Sequence, residues 1–263
     1  MAFACKDPAL TFLNRFGYNV VKLPRTGIEP LLVLGRDKAL EPIGTISTVW
    51  SAPNAPPVPW SPRAATSIEG QKSDKLDLSI GLKILSNALA AFGATTPSLE
   101  FAYTRARKVQ FTFSNVQSVG IEPFTVGEYL ASGDLNLKNP FVSRYFDGDD
   151  TRTYIVTEVL KSDTVTVTAT DSNEKAIAVD VPAISAVVGA NVKIKTGGDS
   201  SATLSYQGPE AVTFGFKAFE IVYVNGRWSV KGVKPSGDLA FFLDDEDRAE
   251  VGELFNAGGL VRL

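Results

Sequence analysis

The chain has 263 residues, 44% of them apolar, a formal charge of −3 and no histidine. That length provides for one sizeable core, and the missing histidines remove Ser-His-Asp and Cys-His catalysis together with histidine-ligated zinc. One cysteine makes neither an internal disulfide nor a cysteine-only zinc site; with no secretion leader in view, residence in the cytosol is expected.

No basic tract marks a nucleic-acid surface. No run of about 18 apolar residues predicts a spanning helix, whereas spanning strands stay open because each gives a weak signal. P-loop and dinucleotide fingerprints are absent, and the glycine-rich pieces at 196 to 201 and 256 to 260 read as turns.

In chain order, Asp7 and Pro8 cap and start a short amphipathic helix carrying Leu10, Leu13 and Phe16, which Gly17 ends. Tyr18 to Leu23 predicts a strand closed by Pro24, and Leu31 to Leu34 and Ile46 to Trp50 predict two more. Cys5 stands just ahead of the helix, beside Phe3, with Lys6, Arg15, Lys22 and Arg25 near in sequence. On position alone it is equally a small buried hydrophobe or a lipid attachment point.

The segment CKDPALTFLNRFGYNVVKLPRTGIEPLLVLGR, Cys5 to Arg36, resembles the N-terminal region of bacterial gasdermins, in which DPAL, a GYNVV strand, LPR-GIEPL and VLGR follow in this order. The resemblance implies an α+β fold with a twisted, mainly antiparallel central sheet, surrounding helices and a short C-terminal inhibitory helix. It implies a pore-forming domain over residues 1 to 237 and a cleavable linker and inhibitory tail over 238 to 263. In such a protein Cys5 carries a palmitoyl or similar acyl chain, and no other cofactor or metal is implied. A protease encoded nearby removes the tail. The freed domain then assembles with copies of itself in lipid of the cell inner membrane, in antiphage defence. Before that it waits as a cytoplasmic, soluble, inactive monomer. A single acyl chain binds membranes only reversibly, so it assists insertion rather than anchoring.

Five prolines between Ser51 and Pro62 predict an extended loop. Ser73 to Phe92 predicts a helix, with Leu76, Ile80, Ile84, Ala88 and Phe92 four apart, Leu85 and Leu89 widening the stripe and Gly93 stopping it. Gly81 is expected to weaken its interior by about 1 kcal/mol. Leu99 to Phe113 alternates, and Arg105 and Arg107 fall on the apolar face. Those two arginines either mark the strand's exit into solvent or form a patch for lipid phosphates.

Thr164 to Thr170, TVTVTAT, predicts a strand with one apolar and one mildly polar face; the stretch Ala176 to Ala190 fits the same account. A soluble hairpin and a barrel strand share this period of two, so the pattern leaves both open. Val212 to Val224 predicts a central strand, and Asn225-Gly226 a hairpin turn into Arg227 to Val233.

After Pro235 to Gly237 the tail changes character. Asp244 can cap a last helix whose first turn holds Asp245, Glu246 and Asp247 and whose face holds Val251, Leu254 and Phe255. The acidic run lacks the spacing of a calcium loop. Residues 239 to 263 carry six acids and two bases, a net of −4, so a chain total of −3 leaves +1 for residues 1 to 238. Under the resemblance Val251, Leu254, Phe255 and Leu260 form the latch. The cut is expected between Gly237 and Arg248, a segment that includes Asp238, Leu239, Leu243, Asp244 and Asp247. Two other classes compete: a carboxylate hydrolase built on Asp147, Asp149 and Asp150, and a β-rich adaptor that assembles without permeabilising membranes.

Overall fold

Val, Ile, Thr, Phe and Tyr crowd residues 152 to 170 and 200 to 224, and such side chains suit a pleated, half-buried surface. The structure, a computed structural model, describes residues 18–36, 40–53, 58–66, 68–73, 75–94, 99–146, 151–197, 200–224, 227–232 and 260–261. Its first half contains β1 (Asn19–Arg25), β2 (Leu32–Arg36), β3 (Leu40–Thr45), α1 (Ile46–Val49), β4 (Trp50–Ser51), β5 (Ser61–Ala64), β6 (Leu76–Asp77), α2 (Leu78–Ala91), a 3-10 turn (Glu100–Tyr103), β7 (Lys108–Ser114), β8 (Gln117–Gly120) and α3 (Pro123–Ala131). The second half adds β9 (Asp134–Leu135), α4 (Pro140–Phe146), β10 (Arg152–Thr170), α5 (Val181–Val188), β11 (Lys193–Gly197), β12 (Ser200–Val224), β13 (Arg227–Gly232) and β14 (Leu260–Val261).

β10 and β12, of 19 and 25 residues, pair antiparallel and form a spine, where an average strand has about 5 to 6 residues. β2, β8 and β7 line one edge of β10 in succession. β13, β1 and β11 line the opposite edge of β12 in the same way. The sheet is thus mainly antiparallel, as expected; among the described residues the pairing of β14 with β1 is parallel.

The spine is interrupted at three places. Thr157 is an extra residue in β10, Phe214 is an extra residue in β12, and residues 208 to 211 bow out opposite Asp163. Pro209 occurs inside this last bulge, where no ladder hydrogen bond is lost. Gly208 is required there, because a Cβ would stand 2.3 Å from the Phe92 ring. The interruptions divide the spine into a proximal half, flanked by β2 and β13, and a distal half, flanked by β7 and β11.

Each half has its own core. Distally, Leu82, Leu85 and Leu89 of α2 close over Val109, Phe111, Val165, Val167, Leu204 and Tyr206. Proximally, Val33, Ile155 and Ile221 meet Trp50 and the α3 residues Val126 and Leu130. Trp50 also meets Trp228 edge to face at 5.3 Å.

Several expectations need correction. Leu99 to Tyr103 is not strand: Leu99, Ala102, Tyr103 and Ala106 are buried, the spacing of a helical turn, while Phe101 is 47% exposed. β7 begins only at Lys108, so Arg105 and Arg107 lie on an exposed turn and not on a strand face. Ile46 to Val49 forms the helical turn α1, leaving Trp50 alone to open β4. Within Ala176 to Ala190, residues 181 to 188 fold as α5, because the Asp180 side chain accepts from the Ala183 backbone N–H at 3.0 Å and Pro182 occupies the first turn.

The predicted helix at Ser73 starts later, at Leu78, because Leu76 and Asp77 pair with β7. Gly81 has a packing reason: a Cβ there would lie 1.9 Å from Cγ2 of Val109. β1 runs through Pro24, with a register shift between Val20 and Arg25 that absorbs it. The proline-rich stretch ends in the edge strand β5, which includes Pro62.

Candidate functional site

In the distal half four strands, β7, β10, β12 and β11, lie side by side and alternate in step. On one face stand Val109, Phe111 and Phe113, then Val165, Val167 and Ala169, then Leu204 and Tyr206, then Ile194. On the other stand Gln110, Thr112 and Ser114, then Thr164, Thr166 and Thr168, then Thr203, Ser205 and Gln207, then Lys193 and Lys195. The hydroxyls link the strands: Thr166 donates to Ser205 at 3.1 Å, and Thr168 and Thr203 share a bond of 3.0 Å. The sheet is apolar on one side and neutral or cationic on the other.

The apolar side is covered by α2, the 3-10 turn and α5. α2 approaches β7 closely because Gly81 offers no side chain. The 3-10 turn is pinned by a 2.8 Å bond between the buried hydroxyls of Tyr103 and Tyr206, and by the Asp180 backbone N–H, which donates to the Ala102 carbonyl at 3.2 Å. Leu85, Leu89, Ile184, Val188 and Leu204 are completely buried in this layer. Each such side chain contributes about 1.5 to 3 kcal/mol through removal from water.

At the junction between the two halves, one carboxylate ties four segments together. Glu158 of β10 accepts from Tyr18 at 2.6 Å, from Lys217 of β12 at 2.9 Å and from Ser118 of β8. The Lys217 ammonium also lies 4.2 Å from the centre of the Tyr18 ring. Burial opposes the charge of Glu158, yet these donors outweigh it and hold its carboxyl below the usual carboxylate range. Burial, then the facing carboxylate, pushes the Tyr18 phenol up. Glu158 and Lys217 open onto a groove of about 430 Å³ that Pro59, Arg63 and Glu122 also line. Among the described residues no group of three or more potential metal ligands comes together.

The tail meets the body at the last described residues. β14 adds to the outer edge of β1, with Val261 opposite Val21. Leu260, expected in the latch, therefore lies in this strand. Val251, Leu254 and Phe255, the expected cleavage segment Gly237 to Arg248 and the inhibitory helix lie outside the described residues, as do Cys5 and the Asp147 to Asp150 cluster. Glu158, the close packing of Gly81 on Val109 and the Tyr103–Tyr206 pair are not legible in the sequence. A strand residue that is charged inside an apolar run, as Glu158 is between Val156 and Val159, is the one available signal.

Comparison with known proteins identifies the class to which this sheet and its covering belong. The model of the Bacterial Gasdermin Family matches residues 21–233. The chain is 40% identical to gasdermin bGSDM of Vitiosangium sp. (strain GDMCC 1.1324), over 98% of each chain. It is 34% identical to gasdermin bGSDM of Lysobacter enzymogenes, over 95% of this chain and 93% of that one. The fold also matches the structure of a bacterial gasdermin from Bradyrhizobium tropiciagri with a TM-score of 0.65 and 16% identity, over 87% of this chain and 92% of that chain. The chain belongs to the bacterial gasdermin family.

Proposed function

We propose that the chain is an autoinhibited membrane pore former without catalytic activity, released when a protease removes residues beyond about 237. The single observation that carries the proposal is the four-stranded distal sheet, amphipathic in full register, with its apolar face buried under α2, the 3-10 turn and α5. A sheet of this kind faces lipid with one side and water with the other once its cover leaves. β7 and the distal part of β10 supply seven residues each, and a tilted span takes about 9 to 11. The strands would therefore lengthen by recruiting residues from the segments that now cover them.

In this scheme the tail, residues 238 to 263, acts as the latch through Val251, Leu254, Phe255 and Leu260. Its terminal strand blocks the outer edge of β1, and its net of −5, counted from Asp238, offsets the +2 of residues 1 to 237. Cys5 bears an acyl chain that assists binding, and Arg105 and Arg107, both exposed beside the distal sheet, meet lipid phosphates. The inactive form resides in the cytoplasm; the cut form assembles with copies of itself in the cell inner membrane. Lysis then halts phage spread, and the protease is encoded nearby.

The test is dye release from anionic liposomes by the full-length chain before and after cutting at a site engineered between Gly237 and Arg248. Release that begins only on cutting supports a latched pore former. Well-folded cut protein that releases nothing, across several lipid compositions, returns the chain to the adaptor reading.

A further inference from the structure

The polar face of the distal sheet is unequal in charge. Its rows cross the strands: Thr112, Thr166, Ser205 and Lys195 form one, and Ser114, Thr164, Gln207 and Lys193 the next. Each row is neutral through three strands and ends in an exposed lysine on β11. No carboxylate occurs in either row. The acids that flank the rows lie outside them: Asp163, opposite the β12 bulge, accepts from Asn115 at 2.9 Å and from Thr164 at 2.8 Å, Asp171, just past the end of β10, accepts from the backbone of Asn173 and Lys175 in its own turn, and Glu210 is exposed within the bulge. Glu174 faces Lys75 at 2.7 Å and is also drawn toward Lys108, at the start of β7 and outside both rows.

We infer that, in the inserted state, this face lines the conduit with the positive charge of Lys193 and Lys195, and that the pore passes small anions in preference to cations. The inference rests on the pore reading above and adds its selectivity. Alternation along a strand is preserved when its surroundings change, so the face now bearing hydroxyls and lysines is the one that turns to water. If each copy contributes these four strands, every row repeats its lysine once per copy, about 19 Å apart at the ordinary strand spacing of about 4.8 Å. The Debye length is about 30 Å at 0.01 M salt and about 8 Å at 0.15 M. The lysine fields therefore merge around the conduit in dilute salt and separate at physiological strength.

The test is the reversal potential of cut protein in a planar bilayer between KCl solutions of about 0.01 and 0.1 M, a range in which screening is incomplete. The parent is compared with Lys193→Glu/Lys195→Glu and with Arg227→Glu/Lys231→Glu, which changes net charge equally on β13 of the proximal half. The expected result is a chloride-selective sign for the parent and for the β13 pair, and a potassium-selective sign for the β11 pair. A parent that is potassium-selective or indifferent, or a β11 pair that behaves like the parent, overturns the inference while the pore reading stands. Absence of any conductance from cut protein that binds the bilayer overturns the pore reading, and the selectivity falls with it.

Discussion

Two single residues carry effects that oppose what their type suggests. Gly81 lies inside α2, where alanine is ordinarily favoured by about 1 kcal/mol. A Cβ there would meet Val109 at 1.9 Å, and overpacking of this kind costs about 1 to 3 kcal/mol. The clash wins, so Gly81→Ala is expected to lower the urea midpoint; a rise would show that the helix stands off the sheet. Glu158 is the second case. Its folded pKa is depressed by Ser118, Tyr18 and Lys217 despite burial, so its contribution is complete at neutral pH and is lost as pH falls from the ordinary carboxylate value through the folded one. Glu158→Gln should cost about 1 to 3 kcal/mol at pH 7. The gap to the parent should close in urea titrations below about pH 4; a gap independent of pH would assign the loss to packing. Neither role was legible in the sequence. A glycine in a helical pattern reads as a weak point, and a glutamate in a strand as solvent-facing, until the partners from other segments are known.

At the scale of elements, α2 must leave β7 if the distal sheet is to meet lipid. The ideal Cβ at position 81 lies 3.4 Å from Cβ of Val109, near the mean of about 3.8 Å for disulfides. Gly81→Cys with Val109→Cys, in a chain also carrying Cys5→Ala, should therefore close a bridge that fastens the cover. After cutting, the oxidised protein is expected to be silent in dye release and the reduced protein active; equal release in both would mean that α2 stays in place during insertion. The strands TVTVTAT and Val212 to Val224 were readable because the first alternates throughout and the second runs nearly apolar, broken only by Thr213, Lys217 and Glu220 among its larger side chains. Leu99 to Phe113 misled because its buried positions 99, 102, 103 and 106 coincide with alternation at two of the four. α5 was hidden because its helical start depends on one aspartate and one proline rather than on a periodic stripe.

In the proposed scheme, charge and latch act together across the whole molecule. Removing residues 239 to 263 turns a total of −3 into +1, which strengthens attraction to an anionic surface, and added salt weakens it. Cut protein should bind anionic vesicles more tightly than the full chain at about 0.01 M salt, with the difference shrinking at about 0.5 M. Binding that ignores salt would place the whole effect in apolar contact. Replacing Leu254 and Phe255 by charged residues should permit dye release without any cut; harmless, folded variants would remove them from the latch. The family and the sheet were legible from Cys5 to Arg36 and from the valine- and threonine-rich second half. The division of the spine into two halves was not, since bulges at Thr157, Phe214 and 208 to 211 follow from which strands lie alongside.

The strand that closes the edge of β1 is built from Leu260 and Val261, with Val261 paired in parallel to Val21. An open strand edge offers unpaired N–H and C=O groups on which a strand of another chain can build, so β14 spares β1 a stray partner. A chain without β14 would present that edge bare, and two such chains are expected to join edge to edge through β1.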